Sequence, residues 1–286
     1  MPDFFFKYYT ADSLKLTLSK NTRKWSSPVL FNDPFDNRWD LQWAGSTIDL
    51  EKSVKKFIIR QVEKETLELN IMHPDIRLLV SQIRVLSPTD RAVYLEQFNE
   101  LKNIYTQSML DAWIIELNKD AATHLSDTSI FCLTEDFDNL LMWAHYADNH
   151  RGGVIKFLPV RAVDSPLLVA RKVTYSKQIP TVDFVSLLGD TFASSLAIRD
   201  AITLTKSLDW QYEKEWRIVS ALRNPASEYE IISFAEEEVG GLYLGCRMAE
   251  KDKSELIEIM AKKYPWAPIY QATPKKSEFS LAFEKI

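Results

Sequence analysis

Between Gly45 and Gly152 the chain contains no glycine, whereas six of its seven glycines lie from Gly152 onward. Glycine punctuates turns and weakens helix interiors, so this interval is expected to be largely helical. Residues 47–70, entered through S-T-I-D-L-E, carry Val54, Phe57, Ile58, Val62 and Leu69 at helical spacing with acids in the first turn. Pro74 and Pro88 interrupt the pattern. Ser87-Pro88-Thr89-Asp90 then predicts a cap and a long helix to about Asn118. Its inner stripe is Val93, Phe98, Leu101, Ile104, Tyr105, Met109, Ala112 and Trp113. Residues 48–125 therefore read as a helical insertion in one α+β domain spanning 1–286.

The flanking segments have strand character. Short aromatic or branched runs at Phe4–Tyr9, Trp25–Phe31, Ser129–Leu133, Gly153–Leu158, Val169–Tyr175, Trp216–Leu222 and Gly241–Leu244 are strand candidates. Helices are expected at Ser13–Lys20, Asn139–Asp148, Asp183–Leu204 and Lys251–Lys263. The tail from Pro274 reads as polar before S-L-A-F. With 46% apolar residues the chain can bury a real core, and its net charge of -5 argues against coating a polyanion, although a local basic groove remains compatible with it. Cys132 and Cys246 form no C-x-x-C pattern, which favours a reducing cytoplasm. No window has the apolar run needed to span a bilayer, so a soluble protein without membrane partners is expected.

The segment richest in chemistry is S-L-D-W-Q-Y-E-K-E-W-R-I-V, from Ser207 to Val219. Read as a strand, it places Glu213, Glu215 and Arg217 on one face and Tyr212, Lys214, Trp216 and Ile218 on the other. Two acids two residues apart oppose each other's ionisation, and an adjacent guanidinium favours it; such a row in a partly dry cleft can stabilise a developing cation. The competing reading is a solvated face on which Arg217 pairs with Glu215.

Three other segments carry candidates. F-N-D-P-F-D, residues 31–36, contains an Asn-Asp-Pro turn, with Phe31 and Phe35 expected to anchor it and Asn32, Asp33 and Asp36 aimed at water or at a ligand. Leu141–Phe157 reads as a helix ending at Gly152 and passing into a strand. Met142, Tyr146 and Asn149 lie along one side of that helix, with Trp143 and Ala147 adjacent. His145 beside Tyr146 offers a polar handle next to an aromatic ring, against the alternative of a satisfied, partly buried histidine. In the first strand Lys7 and Tyr9 face opposite to Tyr8, and Lys7 either snorkels to the surface or meets a phosphate or carboxylate. Signatures of P-loop phosphoryl transfer, serine hydrolysis, zinc proteolysis and dinucleotide-binding glycine loops are missing.

Together, K-Y at Lys7 and Tyr8, S-x-P-x-x-F-N-D-P-F-D from Ser26, L-M-W-A-H-Y-A-D-x-H-x-G from Leu141, V-x-Y from Val173 and W-x-Y-E-x-E-W-R from Trp210 resemble the bacterial family known as domain of unknown function 2971. A weaker similarity is to the ADP-ribosyltransferase fold, a mixed-sheet core in which a late glutamate contacts the nicotinamide ribose of NAD and stabilises an oxocarbenium-like transition state. That similarity implies Glu215 as the catalytic glutamate and Glu213 as the group orienting the acceptor. Lys7 or Tyr8 would position NAD, Trp143 or Tyr146 would stack on nicotinamide, and Asn32, His145 and Arg217 would complete the binding site. It further implies NAD as substrate, a nucleic acid or protein acceptor, and a toxin or anti-phage role with an antitoxin or immunity partner. The chain departs from that pattern in having neither His nor Arg on its first strand and no Ser-Thr-Ser strand. Two other classes fit the same residues: a metal-dependent nucleic-acid-processing effector using Glu213, Glu215 and Asp33, and a non-catalytic nucleotide- or partner-binding module.

Overall fold

The computed structural model describes residues 1–37, 40–65, 72–183, 191–224 and 226–286. In chain order its strands are β1 (Phe5–Tyr9), β2 (Thr22–Ser26), β3 (Gln42–Trp43), β4 (Thr128–Thr134), β5 (Gly153–Phe157), β6 (Arg171–Lys172), β7 (Thr174–Ser176), β8 (Thr181–Val182), β9 (Thr205–Ser207), β10 (Glu215–Ala221), β11 (Tyr229–Ser233), β12 (Val239–Leu244), β13 (Ile269–Pro274) and β14 (Leu281–Lys285). The helices are α1 (Ala11–Lys20), α2 (Thr47–Glu63), α3 (Pro74–Arg84), α4 (Pro88–Glu100), α5 (Gln107–Ser126), α6 (Leu140–Tyr146), α7 (Thr191–Thr203) and α8 (Glu250–Lys263). Two compact units result. One comprises Met1–Asp36, Ser126–Lys177 and Lys206–Ile286, and the other Asn37–Leu125 and Gln178–Thr205.

The first unit is built on a ten-stranded mixed sheet in the order β11-β2-β4-β1-β5-β12-β13-β14, with β10 paired to β4 and to β6. All pairings are antiparallel except β12 with β13. Alternation along β1 divides its side chains between two cores, as a period of two requires. Phe5 and Tyr9 join Leu14 and Leu18 of α1 and Leu256 and Met260 of α8, while Phe6 and Tyr8 join Met142, Trp143 and Ala147 at α6. Strand β4 pairs along its whole length with β10 but meets β1 only at Thr134↔Phe6 and β2 only at Ile130↔Ser26. The carbonyl of Cys132, between those two points, is taken instead by the Lys7 ammonium at 2.7 Å. Lys7 thus ends on a backbone oxygen rather than at the surface, and its ammonium also lies 4.6 Å from the Phe131 ring centroid.

The passage from α6 into β5 explains much of the Leu141–Gly152 motif. Asp148, Asn149 and His150 all have positive φ, a conformation that Asn, Asp and His tolerate better than most side chains. The amides of Asn149, His150 and Gly152 fold back on the helix end, donating to the carbonyls of Ala144, Trp143 and Ala147 respectively. Gly152 then passes beneath β1, where a Cβ would stand 1.9 Å from the Tyr9 carbonyl oxygen. Gly152→Ala is therefore expected to destabilise the first unit by at least about 1–3 kcal/mol, the usual cost of overpacking, as measured by urea unfolding.

Several expected elements differ from the structure. The strand predicted at Trp25–Phe31 ends at Ser26 and gives way to a 3₁₀ turn at Pro28–Leu30, where proline supplies no ladder donor. Phe35 is 71% exposed and does not anchor the F-N-D-P-F-D turn; Asp33 and Asp36 are buried instead. Val169–Tyr175 is a 3₁₀ turn at Pro166–Val169 followed by the short strands β6 and β7. The polar run after Pro274 is exposed as expected, and the S-L-A-F that follows it enters β14, which pairs with β13 and buries Leu281.

In the second unit, α2 begins with a capping box between Ser46 and Asp49, and α4 with Ser87 accepting from the Asp90 amide. Leu50, Val54, Ile58 and Val62 of α2 pack on Val80 and Ile83 of α3 and Leu110 of α5. The long helix expected from Ser87 is broken into α4 and α5. Leu101 leaves the helix and Asn103 has φ of 57°. The Lys55 ammonium of α2 donates to the carbonyls of Asn99 and Leu101, satisfying oxygens left open at the end of α4, and Glu51 accepts the Ile104 amide. Consequently the predicted inner stripe is largely solvent-facing: no α4 residue is buried, and Val93 and Leu101 are about half exposed. Helix α7 occupies the later part of the predicted 183–204 helix; residues 184–190 of that prediction, and 66–70 of the 47–70 helix, lie outside the described residues.

Candidate functional site

The first unit contains a cavity of about 380 Å³. Its walls come from β1, β4, α6, the 30–36 segment and the turn entering β10. Lys7, Tyr8, Asn32, His145, Tyr146, Glu213 and Glu215 all line it, so seven predicted site residues from four separated segments meet at one hollow. Trp143 does not. It is fully buried in the core, with its indole NH donating to the Phe137 carbonyl, because positions 143 and 147 of the short helix turn inward while 142, 145 and 146 face the cavity. Arg217 lies behind the cavity wall, fully buried.

The strand predicted from Ser207 to Val219 is shorter than expected. Residues Leu208–Glu213 form a 3₁₀ turn, Lys214 adopts a left-handed conformation with φ of 45°, and β10 begins at Glu215. Glu215 and Arg217 share a face by strand alternation. Glu213 reaches the same place by a different route, since the reversal at Lys214 swings its carboxylate back beside that of Glu215. Thr134 fixes this turn by donating to the Glu213 carbonyl at 2.6 Å, and Asn139 ties it to α6 by capping the helix while donating to the Tyr212 carbonyl. The Tyr175 hydroxyl receives the Glu215 amide at 2.8 Å.

Two cations hold three carboxylates together. Lys206 Nζ lies 2.6 Å from Glu213 Oε2, 3.1 Å from Glu215 Oε2 and 3.5 Å from Asp36 Oδ2. Arg217 donates through Nε and Nη2 to both oxygens of Glu215, and through Nη1 and Nη2 to both oxygens of Asp36 at 2.9 and 2.6 Å. The Tyr146 hydroxyl donates to Glu213 Oε1 at 2.6 Å and is also reached by the Asn32 side chain. Ion pairs this deeply buried seldom stabilise a fold relative to apolar packing, so charges gathered at a cavity wall, with the buried Lys7 ammonium also acting on Glu215, call for a chemical explanation. Of these participants, Lys206 and Asp36 carry the weakest sequence signal. Lys206 sits in the plain stretch T-L-T-K-S-L, and Asp36 in a turn whose acids can equally face water or a ligand.

The environment separates the two glutamates. Burial raises the Glu213 carboxyl above the ordinary carboxylate range, against the pull of Lys206. Burial also opposes ionisation of Glu215, but the charges of Arg217 and Lys206 outweigh it and hold that carboxyl down to about 2. Burial lowers Lys206 in turn, yet the carboxylates of Glu215, Glu213 and Asp36 keep it firmly charged. The Cys132 thiol on the same wall is pushed up by burial and by Glu215, so it stays protonated. Two acids with acidities driven apart form the arrangement in which one moves a proton while the other remains a fixed charge. The metal-dependent reading loses its geometry here. The ammonium of Lys206 stands where a cation among these carboxylates would stand, and Asp33 uses its carboxylate to accept the Phe35 amide. Among the described residues no three His, Cys, Asp or Glu side chains are grouped to hold a metal ion.

Residues 142–218 match the model of the family described as a protein of unknown function, DUF2971, which bears out the family resemblance over the stretch carrying most of α6, Lys206, both glutamates and Arg217. No curated protein and no solved structure matches the chain. Among the described residues no helix is long and apolar enough to cross a membrane.

Proposed function

We propose that the protein breaks the N-glycosidic bond of the nicotinamide ribose of NAD, passing the ADP-ribosyl group to water or to an acceptor. One observation carries the reading: two carboxylates of opposed acidity share a single ammonium on the wall of one cavity. In this reaction the bond between ribose C1′ and the pyridinium nitrogen breaks, its electron pair leaves with nicotinamide, and positive charge builds on the sugar. Glu215, ionised at any physiological pH, faces that charge. Glu213, whose proton affinity is raised, takes the proton released as the acceptor's oxygen bonds to C1′. At 380 Å³ the cavity is near the lower end of small-molecule sites, which run from about 300 to 1,000 Å³, a size that suits one nucleoside end of the dinucleotide. His145 and Tyr146 would flank the nicotinamide ring, and Asn32 would hold Tyr146 in place.

Kinship with the ADP-ribosyltransferase fold belongs to this proposal, on the strength of a first strand bearing Lys7 and Tyr8 and a late strand opening on Glu215. So does an effector role as a toxin or anti-phage protein, with a nucleic acid or protein as acceptor and a restraining partner. Incubation with NAD labelled in nicotinamide is expected to release free nicotinamide, alone or on addition of nucleic acid or lysate. Absence of release under all of these conditions overturns the reading. Ligand binding measured by calorimetry without any turnover would instead establish a non-catalytic module.

A further inference from the structure

The second unit has a groove of its own, about 790 Å³ in volume, between α2 and the connection from α4 to α5. Five cations line it: Lys52, Lys55, Lys56, Arg60 and Lys102, against the acids Glu51 and Glu63. Glu51 is spent on Lys55 at 2.9 Å and on the Ile104 amide. The other four cations have no carboxylate within ion-pair distance among the described residues, in a chain whose net charge is -5.

The arrangement is ordered. Lys52, Lys56 and Arg60 recur every four residues and so form one exposed stripe on the face of α2 opposite Leu50, Val54, Ile58 and Val62, each about 6 Å beyond the last along the axis. Like charges at this spacing oppose helix formation; Asp49 and Glu63, three residues from Lys52 and Arg60, offset this only in part, since neither closes an ion pair with the stripe among the described residues. Lys55 clamps the facing loop through the carbonyls of Asn99 and Leu101, which brings Lys102 to the other bank. Ile48 and Leu101, 61% and 51% exposed, supply apolar surface between the charges.

We propose that this groove binds single-stranded nucleic acid, with Lys52, Lys56, Arg60 and Lys102 on successive phosphates and the apolar surface against base faces. A row of fixed cations along a channel, with apolar contacts between them, suits a flexible charged strand. A flat anionic membrane would meet the rim of a concave groove rather than its walls. The inference is independent of the reaction proposed above, because its site lies wholly in the other unit.

The test uses the full-length protein and a labelled single-stranded oligonucleotide, followed by fluorescence anisotropy between about 50 and 200 mM salt. Four phosphate contacts predict a slope of log affinity on log salt of about -3. Lys52→Glu, Lys56→Glu and Arg60→Glu combined are expected to weaken binding at least about 100-fold and flatten the slope. The corresponding glutamine triple, which removes the repulsion within α2 and keeps the helix, is expected to fall between. Lys275→Glu with Lys276→Glu, on exposed positions of the other unit, is expected to leave binding unchanged. Failure of the wild-type protein to bind, equal binding by the glutamine triple, or preference for anionic vesicles over the oligonucleotide overturns the proposal.

Discussion

Glu215→Gln is expected to reduce nicotinamide release by about 10²–10³-fold or more while leaving KM nearly unchanged, the signature of an interaction made in the transition state. The substitution preserves shape but removes the negative charge facing the sugar, so ground-state binding has little reason to change. Lys206 and Arg217 retain partners in Glu213 and Asp36, and the variant is expected to fold. Glu213→Gln distinguishes the roles of the two acids. Because burial raises the proton affinity of Glu213, the wild-type rate should climb with pH through a midpoint above the ordinary carboxylate range as that group becomes the base. The glutamine variant should lose this limb. A profile that keeps the limb would assign the proton transfer to another group.

Arg217→Met is expected to have the largest effect on stability, about 3–5 kcal/mol, because it strands Glu215 and Asp36 in a buried site without the guanidinium that binds both. Urea unfolding of the variant, and of the double variant with Asp36→Asn, tests this; partial recovery in the double variant identifies the stranded charge as the cause. The pH dependence follows with a definite sign. Glu215 titrates lower in the folded chain than the ordinary 4.5, at about 2, so unfolding in this range takes up a proton and stability falls as pH drops from 4.5 toward 2. Removing Arg217 weakens the hold on that ionised form. The acid-dependent loss should then be smaller in the variant, measured as the difference in unfolding free energy at the two ends of this range.

Local sequence signals suffice where the physics is local. The alternation Phe5-Phe6-Lys7-Tyr8-Tyr9 sends its aromatics to two cores as period two demands, and the capping residues Ser46 and Ser87 mark helix starts that the structure keeps. Glu213, Glu215 and Arg217 form a charged row among aromatics in the sequence, but strand alternation accounts for only part of their meeting. Strand parity relates Glu215 to Arg217, whereas Glu213 joins them through the left-handed turn at Lys214, and a lysine there carries no glycine signal to announce it. The broken α4–α5 helix was equally hidden, since its interruption depends on Lys55 reaching across from α2.

The residues by themselves determined which segments could become strands and helices, and that acids, a guanidinium and aromatic rings would occur close together in the chain. Folding decided what those acids are. The ionisation of Glu215 and the proton affinity of Glu213 depend on Lys206 and Asp36, which come from segments on either side of the second unit's sequence, and on the exclusion of water from their shared wall. Secondary-structure preference is set by near neighbours along the chain. A buried charge answers to whatever lies within a few ångströms in space, in a medium where water no longer screens it.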